Sequence, residues 1–181
     1  MEIDLEYIKK MGKEKEDENW NFRTFIKQYD MPREEMDALV HEITERVSAE
    51  IDCTQCGNCC VHMGPVLDED DISRFALGLN IPVSEFQAEQ LTETNDYSSG
   101  FKFNVLPCPF LENKQCTNYD HRPKNCQSYP HLHKEGFTTR LWGVVDNYEI
   151  CPIVFHVYEE VKARLWHRMR YGEDEFEWGW S

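Results

Sequence analysis

Apolar residues recur at helical spacing in two long stretches of the chain. Met36, Leu39, Val40, Ile43, Val47 and Ile51 form one stripe, which predicts a helix over 32–51. Pro32 suits its first turn, and Glu34 and Glu35 complement the positive end of the helix dipole. Ile153, Val154, Val157, Val161, Leu165 and Met169 form the second stripe and predict a long last helix. Pro152 falls at its first helical position, which makes Cys151 the N-cap. Shorter patterns fill the rest. Ile3, Leu5, Tyr7 and Ile8 fit one short amphipathic helix, and 13–18 reads as a solvated connector. Trp20, Phe22, Phe25 and Ile26 make a dense apolar patch that docks on the core or meets a partner. The acidic run Asp68 to Asp71 precedes Ile72, Phe75, Ala76 and Leu77, an N-capped short helix with Gly78 as its stop. Ser84 to Phe86 starts another helix ending near Leu91, and 92–100 reads as a polar loop.

Strand signals are fewer. Residues 101–106 alternate as a strand does. A turn over 112–115 separates Phe110-Leu111 from Cys116, so a small hairpin bears Cys108 and Cys116 at its ends. Residues 119–130 are rich in turn formers, and Phe137, Leu141 and Val145 mark 137–145 as a second strand candidate. The expected fold is α+β: mostly helical, with a small irregular antiparallel β element and loops gathered around cysteine sites. The expected divisions are an N-terminal helical segment over 1–50, a cysteine-cluster domain over 51–171, and an acidic, aromatic tail over 172–181.

The eight cysteines change the picture most. Cys53, Cys56, Cys59 and Cys60 lie in eight consecutive residues with the spacing C-x2-C-x2-C-C. Two residues between thiols is the spacing of a metal knuckle, in which a tight turn aims both sulfurs at one ion or cluster. Gly57 and Asn58 suit the turn because both tolerate positive φ. The run opens like a bacterial ferredoxin motif but lacks its x3-C-P continuation. The remaining four are Cys108, Cys116, Cys126 and Cys151. Eight is two sets of four, the ligand number of an all-thiolate zinc site or a cubane cluster. Because Cys59 and Cys60 are adjacent and their side chains should diverge, Cys60 is expected in a different site from Cys53, Cys56 and Cys59. Cys151, as a helix N-cap, should have its thiolate favoured by the dipole, and it is expected to share a site with at least one of Cys53, Cys56, Cys59 and Cys60. His131 and His133 are candidate nitrogen ligands against the thiolate sets, whereas His41 and His62 read as surface or core-edge residues. Disulfides are the alternative to metal.

Charge and compartment narrow the function. The chain has 181 residues and a net charge of −15, which argues against nucleic-acid binding, since that needs a basic face. Residues 101–140 nevertheless carry a net +3, and a tetrathiolate site of net charge −2 would be stabilised by cations such as Arg122. An internal carboxylate or solvent is the alternative neighbour of Arg122. The acidic start has no apolar segment of a signal peptide, and no run is long enough to span a membrane. A cytoplasmic location is therefore expected, where thiols stay reduced and bind metal.

Cys53 to Cys60, Pro107-Cys108-Pro109-Phe110-Leu111, Cys116-x2-Tyr119-x2-Arg122-Pro123-x2-Cys126-x2-Tyr129-Pro130 and Cys151-Pro152 occur in that order. This series resembles the CxxCxxCC cysteine-cluster (YkgJ-like) family, a zinc- or iron-chelating domain, over about residues 50–160. A flagellin lysine methylase contains a similar cluster, so the resemblance also admits an enzyme that uses the cluster in a modification reaction such as methyl transfer. Three readings stand: a cytoplasmic protein holding iron–sulfur, with the 4Fe–4S type favoured, or zinc, in a redox or accessory role; such an enzyme; and a zinc-stapled module for a protein partner.

Overall fold

The computed structural model describes residues 1–94 and 100–167. The sequence expectations for Met169 and for the tail lie outside these residues. The described chain is mostly helical with two small antiparallel sheets, each of two strands, as the hydrophobic pattern implied. It divides into two compact units: residues 1–51 with 130–181, and residues 52–129.

The first unit is a set of helices: α1 (Leu5–Glu14), α2 (Glu16–Ile26), α3 (Arg33–Glu50) and, after a long excursion of the chain, further helices from Leu141 onward. The connector expected over 13–18 is helical instead, interrupted only at Lys15. Polarity there marks solvent exposure, and Glu16, Asp17 and Glu18 occupy the first turn of α2, where acidic residues oppose the dipole favourably. The strand expected over 137–145 is likewise replaced, by a 3-10 turn at Phe137–Thr139 and a helix at Leu141–Tyr148. Phe137, Leu141 and Val145 recur every four residues, which is a helical period. Leu141, Val144, Val145 and Tyr148 are indeed the buried positions. Two backbone N–H groups of that turn, Gly136 and Phe137, donate to the buried Asp37 carboxylate of α3 at 2.7 and 2.8 Å.

The last helix of this unit, Pro152–Lys162, starts on Cys151 as N-cap with proline at the first turn, as the sequence implied, and continues as a π turn over Ala163–His167. Residues 151–158 are all buried, so the helix is the core of its unit rather than a one-sided stripe. Phe22 of α2 packs against it, with ring centroids 5.2 Å from Tyr158 and 5.5 Å from Trp166. The aromatic patch of 20–26 thus docks on the core of this unit. Lys162 is fully buried and pairs with Glu18 at 2.6 Å, with Asn19 at 2.9 Å and with Glu159. Glu159 also takes Lys15 at 2.5 Å and the Tyr148 hydroxyl at 2.7 Å. A buried charge survives only when its partners replace the lost water, and each of these has at least two.

In chain order the second unit contributes α4 (Asn58–His62), α5 (Glu69–Leu79), α6 (Val83–Gln90), β1 (Leu91–Thr94), β2 (Gly100–Phe103), β3 (Leu111–Glu112), β4 (Gln115–Cys116) and α7 (Lys124–Ser128). β1 pairs with β2 in the register Leu91 to Phe103 and Thr94 to Gly100, so the start of the expected polar loop is a strand. Gly78 lies inside α5, not at its end: the left-handed cap is Asn80, at φ 57°. A Cβ at Gly78 would come within 2.2 Å of Asn118 Oδ1 and 2.5 Å of the His121 ring, so glycine here admits the following chain. Phe75 centres the core, with Phe110, Phe86 and Phe103 at 4.7, 5.2 and 5.6 Å. Cys108 packs on the edge of this cluster.

The buried network of the first unit sets its pH response. His156 is held below its usual value of 6.5 by burial, and Glu159 falls below 4.5 because its lysine partners outweigh its burial. Both take up protons more readily unfolded than folded, so stability falls as pH drops below about 6.5 and again below about 4.5. Tyr148 and Tyr158 are pushed well above 10, chiefly by burial, so the unfolded chain ionises first and stability also falls above about pH 10. Thermal melts from pH 4 to 11 should show a plateau between these limits. An equal midpoint at pH 5 and pH 7.5 would contradict the assignment.

Candidate metal centre

Seven of the eight cysteines lie in the 52–129 unit. The dense run is built as a 3-10 turn, Cys53–Gln55, followed by Gly57 at φ 65° and then α4, which carries Cys59 and Cys60. Asp52 caps the turn, its carboxylate accepting the Thr54 N–H at 3.0 Å and the Thr54 hydroxyl at 2.6 Å. Hydrogen bonds from Thr54 and Gln55 keep the Asp52 carboxyl below its usual pKa. Gly57 is required twice: by its left-handed φ, and because a Cβ would stand 2.7 Å from the Lys114 carbonyl oxygen. Lys114 and Asn113 are the two central residues of the β3–β4 hairpin, at φ 67° and 50°, as a two-residue hairpin turn with mirror-image geometry demands. The cysteine turn therefore rests directly on the hairpin turn.

This contact brings the later cysteines to the earlier ones. The Cys108 N–H donates to the Cys60 carbonyl at 2.8 Å, and the Leu111 N–H donates to the Cys108 carbonyl at 3.1 Å. Leu111 in turn pairs with Cys116 across the hairpin. Cys126 sits in α7, which is pinned by three bonds: Lys124 N–H to Asp71 at 2.9 Å, Lys124 Nζ to Asp68 at 2.8 Å, and Asn125 Nδ2 to the Val66 carbonyl at 3.1 Å.

The electrostatics report the same grouping. Burial pushes the Cys126 thiol up to about 12, and the charges of Cys60, Cys108 and Cys116 add to it. Burial likewise raises Cys108 to about 11 and raises Cys116, and in both cases Cys60 contributes. Cys60 moves the other way, to about 7, because it accepts a hydrogen bond from the Cys59 thiol. The two adjacent side chains thus meet rather than diverge. Cys53 is raised by burial and by Asp52, with Cys56 a further contributor. Arg122 acts on four of these thiols in the opposite direction, lowering Cys53, Cys60, Cys116 and Cys126.

Cys60, Cys108, Cys116 and Cys126 therefore form one neighbourhood, and Cys53 and Cys56 another, with Cys59 bonded to Cys60. None of the eight cysteines is in a disulfide. Cys151 belongs to the other unit, where it is buried and its carbonyl accepts the Phe155 N–H at 2.9 Å. His131 and His133 are also in that unit, and His131 takes a left-handed φ of 65° with its carbonyl bound by Arg140 at 2.7 Å. Among the described residues, no three His, Cys, Asp or Glu side chains converge closely enough to hold an ion as they stand. The donor set nonetheless fits zinc or iron in its chemistry: soft sulfur ligands, four of them in one neighbourhood, beside a cation that favours their charged form.

The chain matches the family described as "CxxCxxCC: Putative zinc- or iron-chelating domain" over residues 52–152. It belongs to this family. No curated protein and no solved structure matches it. No helix among the described residues is long and apolar enough to cross a membrane.

Gly57→Ala should cost at least about 1 kcal/mol, because a left-handed non-glycine residue is strained and its Cβ would collide with backbone. Gly64→Ala, where a Cβ meets nothing within 4 Å, is the control and should be close to neutral. Urea unfolding of the two variants compares them. Equal losses would show that the turn-on-turn contact is unimportant.

Proposed function

We propose that this protein binds zinc or an iron–sulfur cluster, of the 4Fe–4S type in the second case, through its cysteine thiols, and that it serves a redox or accessory role in the cytoplasm. The observation that carries this reading is that Cys60, Cys108, Cys116 and Cys126, from α4, the loop before β3, β4 and α7 of one unit, come near enough for their charges to act on one another. Cys53, Cys56 and Cys59 supply further donors beside them, and Cys151 is proposed as the eighth ligand. A packed structural thiol has no reason to keep company with three others, since each ionised sulfur raises the next. A bound cation removes that conflict and adds a Lewis acid or, with iron and sulfide, an electron carrier. Since no three donors among the described residues converge as they stand, binding is coupled to side-chain rearrangement and should order the loops that bear them.

Anaerobic metal and sulfide analysis with a visible spectrum tests the reading and separates its two forms. Brown protein with acid-labile sulfide indicates iron–sulfur; colourless protein with stoichiometric zinc indicates the thiolate site. Protein that takes up neither metal under reducing conditions overturns it. Removing the metal by chelation should lower the thermal midpoint, because the short elements between Cys60 and Cys126 then lose their cross-link. Equal apo and holo midpoints would count against a structural contribution. Cys151→Ser and Cys151→Ala should both reduce metal content. Full occupancy in both variants removes Cys151 from the ligand set and leaves the other seven.

A further inference from the structure

The first unit carries an aromatic and cationic stripe outside its core. Trp20, Arg23 and Lys27 follow one another along one side of α2, at helical spacing. Beside them α8 (Leu141–Tyr148) presents Trp142, which is 61% exposed although tryptophan is on average a well-buried residue. The two indoles lie 4.7 Å apart, centroid to centroid, with a tilt of 59°. The Arg23 guanidinium stands over both rings, 5.5 Å from Trp20 and 5.3 Å from Trp142. Groups stacked in this way are already held in place, so an occupant loses little to ordering them. The surface next to them is open: a Cβ on Gly143 would meet nothing within 4 Å. The chain has 34 Asp and Glu against 19 Lys and Arg, yet neither Arg23 nor Lys27 forms an ion pair among the described residues. A fixed indole pair flanked by two cations without carboxylate partners fits an occupant that is both aromatic and acidic.

We infer that the Trp20–Arg23–Trp142 face is the docking site of the chain's own segment Glu173-Asp174-Glu175-Phe176-Glu177-Trp178-Gly179-Trp180, which crosses α2 as a strap. This segment lies outside the described residues and has four carboxylates and three aromatic rings in eight positions. The place where the chain reaches it favours the match. His167, the last described residue, has its Nε2 3.9 Å from Glu18 of α2, and the Trp166 ring lies 5.5 Å from Phe22 and 6.1 Å from Phe25. At about 100° of rotation per residue, Glu18 and Phe25 lie on the flank of α2 opposite Trp20. The strap therefore has only one helix to cross, about 10–12 Å wide with its side chains. Nine extended residues, 168–176, reach about 30 Å, which is ample. Tethering also decides between occupants. Glu16 heads the same stripe and Asp146 stands one turn beyond Trp142, in a chain of net charge −15, so a separate acidic molecule is repelled on approach. A segment of the same chain is present at an effective concentration on the order of millimolar and needs only a weak site.

The test is amide hydrogen exchange, read by mass spectrometry, on the full-length protein and three full-length variants: Arg23→Gln, Trp142→Ala and, as a control in the other unit, Leu77→Ala. A synthetic peptide of residues 171–181 supplies the exchange rate of the same sequence without the fold. Trp142 and Leu77 are 61% and 73% exposed, so their truncation leaves the cores intact, and Arg23→Gln keeps the comparison open if Trp142→Ala does not fold. In wild type and in Leu77→Ala, the amides of residues 174–181 should exchange about tenfold or more slowly than in the peptide. In Arg23→Gln and Trp142→Ala they should return to within about twofold of it. Wild-type exchange at the peptide's rate overturns the inference. So does protection that survives both substitutions, which would seat the segment elsewhere. Light scattering over a range of protein concentrations should report a monomer wherever the segment is protected. Protection that is lost as a dimer dissociates overturns the inference in favour of the segment of a second copy.

Discussion

Placing Cys60, Cys108, Cys116 and Cys126 in one neighbourhood sets each thiolate against the charge of the others, and burial adds to the cost of ionising any of them. Two like charges about 4 Å apart repel by roughly 4 kcal/mol at an effective dielectric of about 20. A fold that depended only on hydrophobic burial would scatter such groups or replace them. The 52–129 unit instead invests several anchors in bringing them together, and its remaining architecture makes sense as the means of doing so.

Those anchors are polar and local, because the elements are too short to supply long ladders of hydrogen bonds. The β3–β4 hairpin has two residues per strand, and α4 and α7 are five residues each. Side chains fasten the backbone at the points where sheets would otherwise do so. Asp71 accepts Arg74 at 2.5 Å and the first N–H of α7 at 2.9 Å, and Asn118 donates to the Phe75 carbonyl at 2.9 Å. Each bond is worth only about 1 kcal/mol net, but each fixes a turn that carries or adjoins a cysteine. Phe75 and its ring neighbours provide the apolar floor, and Cys108 lies at its edge. This is the arrangement of a small core that needs further cross-linking to be firm.

Sequence pattern made the long helices legible, because a stripe sustained over five turns has no competing reading: 32–51 and the helix opened by Cys151-Pro152 appear where periodicity put them. It failed where a short apolar series fits two periods. Phe137, Leu141 and Val145 look like a strand if only every other residue is weighed, whereas Val144 and Tyr148 complete a helical face. It also fails at 13–18, where a run of charge reads as coil although Glu and Lys are good helix formers. The Cys53 to Cys60 turn was readable from Gly57, since only a left-handed residue lets that spacing close. Its seat against Lys114 was not readable, because a contact between two turns over fifty residues apart leaves no periodic trace. Arg122 stands out in the sequence by its place beside Pro123 and near Cys126, but the clamp of Arg74 and Gln127 on its carbonyl is a tertiary fact.

The unequal thiols carry the argument one step further. Cys60, lowered to about 7, ionises more readily than Cys108 and Cys126, which burial pushes up to about 11 and 12. The Cys59 hydrogen bond makes that first thiolate, and the same thiolate then raises the cost of the next. The group is thus stable as one anion with three thiols, and unstable as several anions, unless positive charge arrives. Metal uptake at neutral pH must therefore release protons from the remaining sulfurs, and the free energy of binding must cover that release.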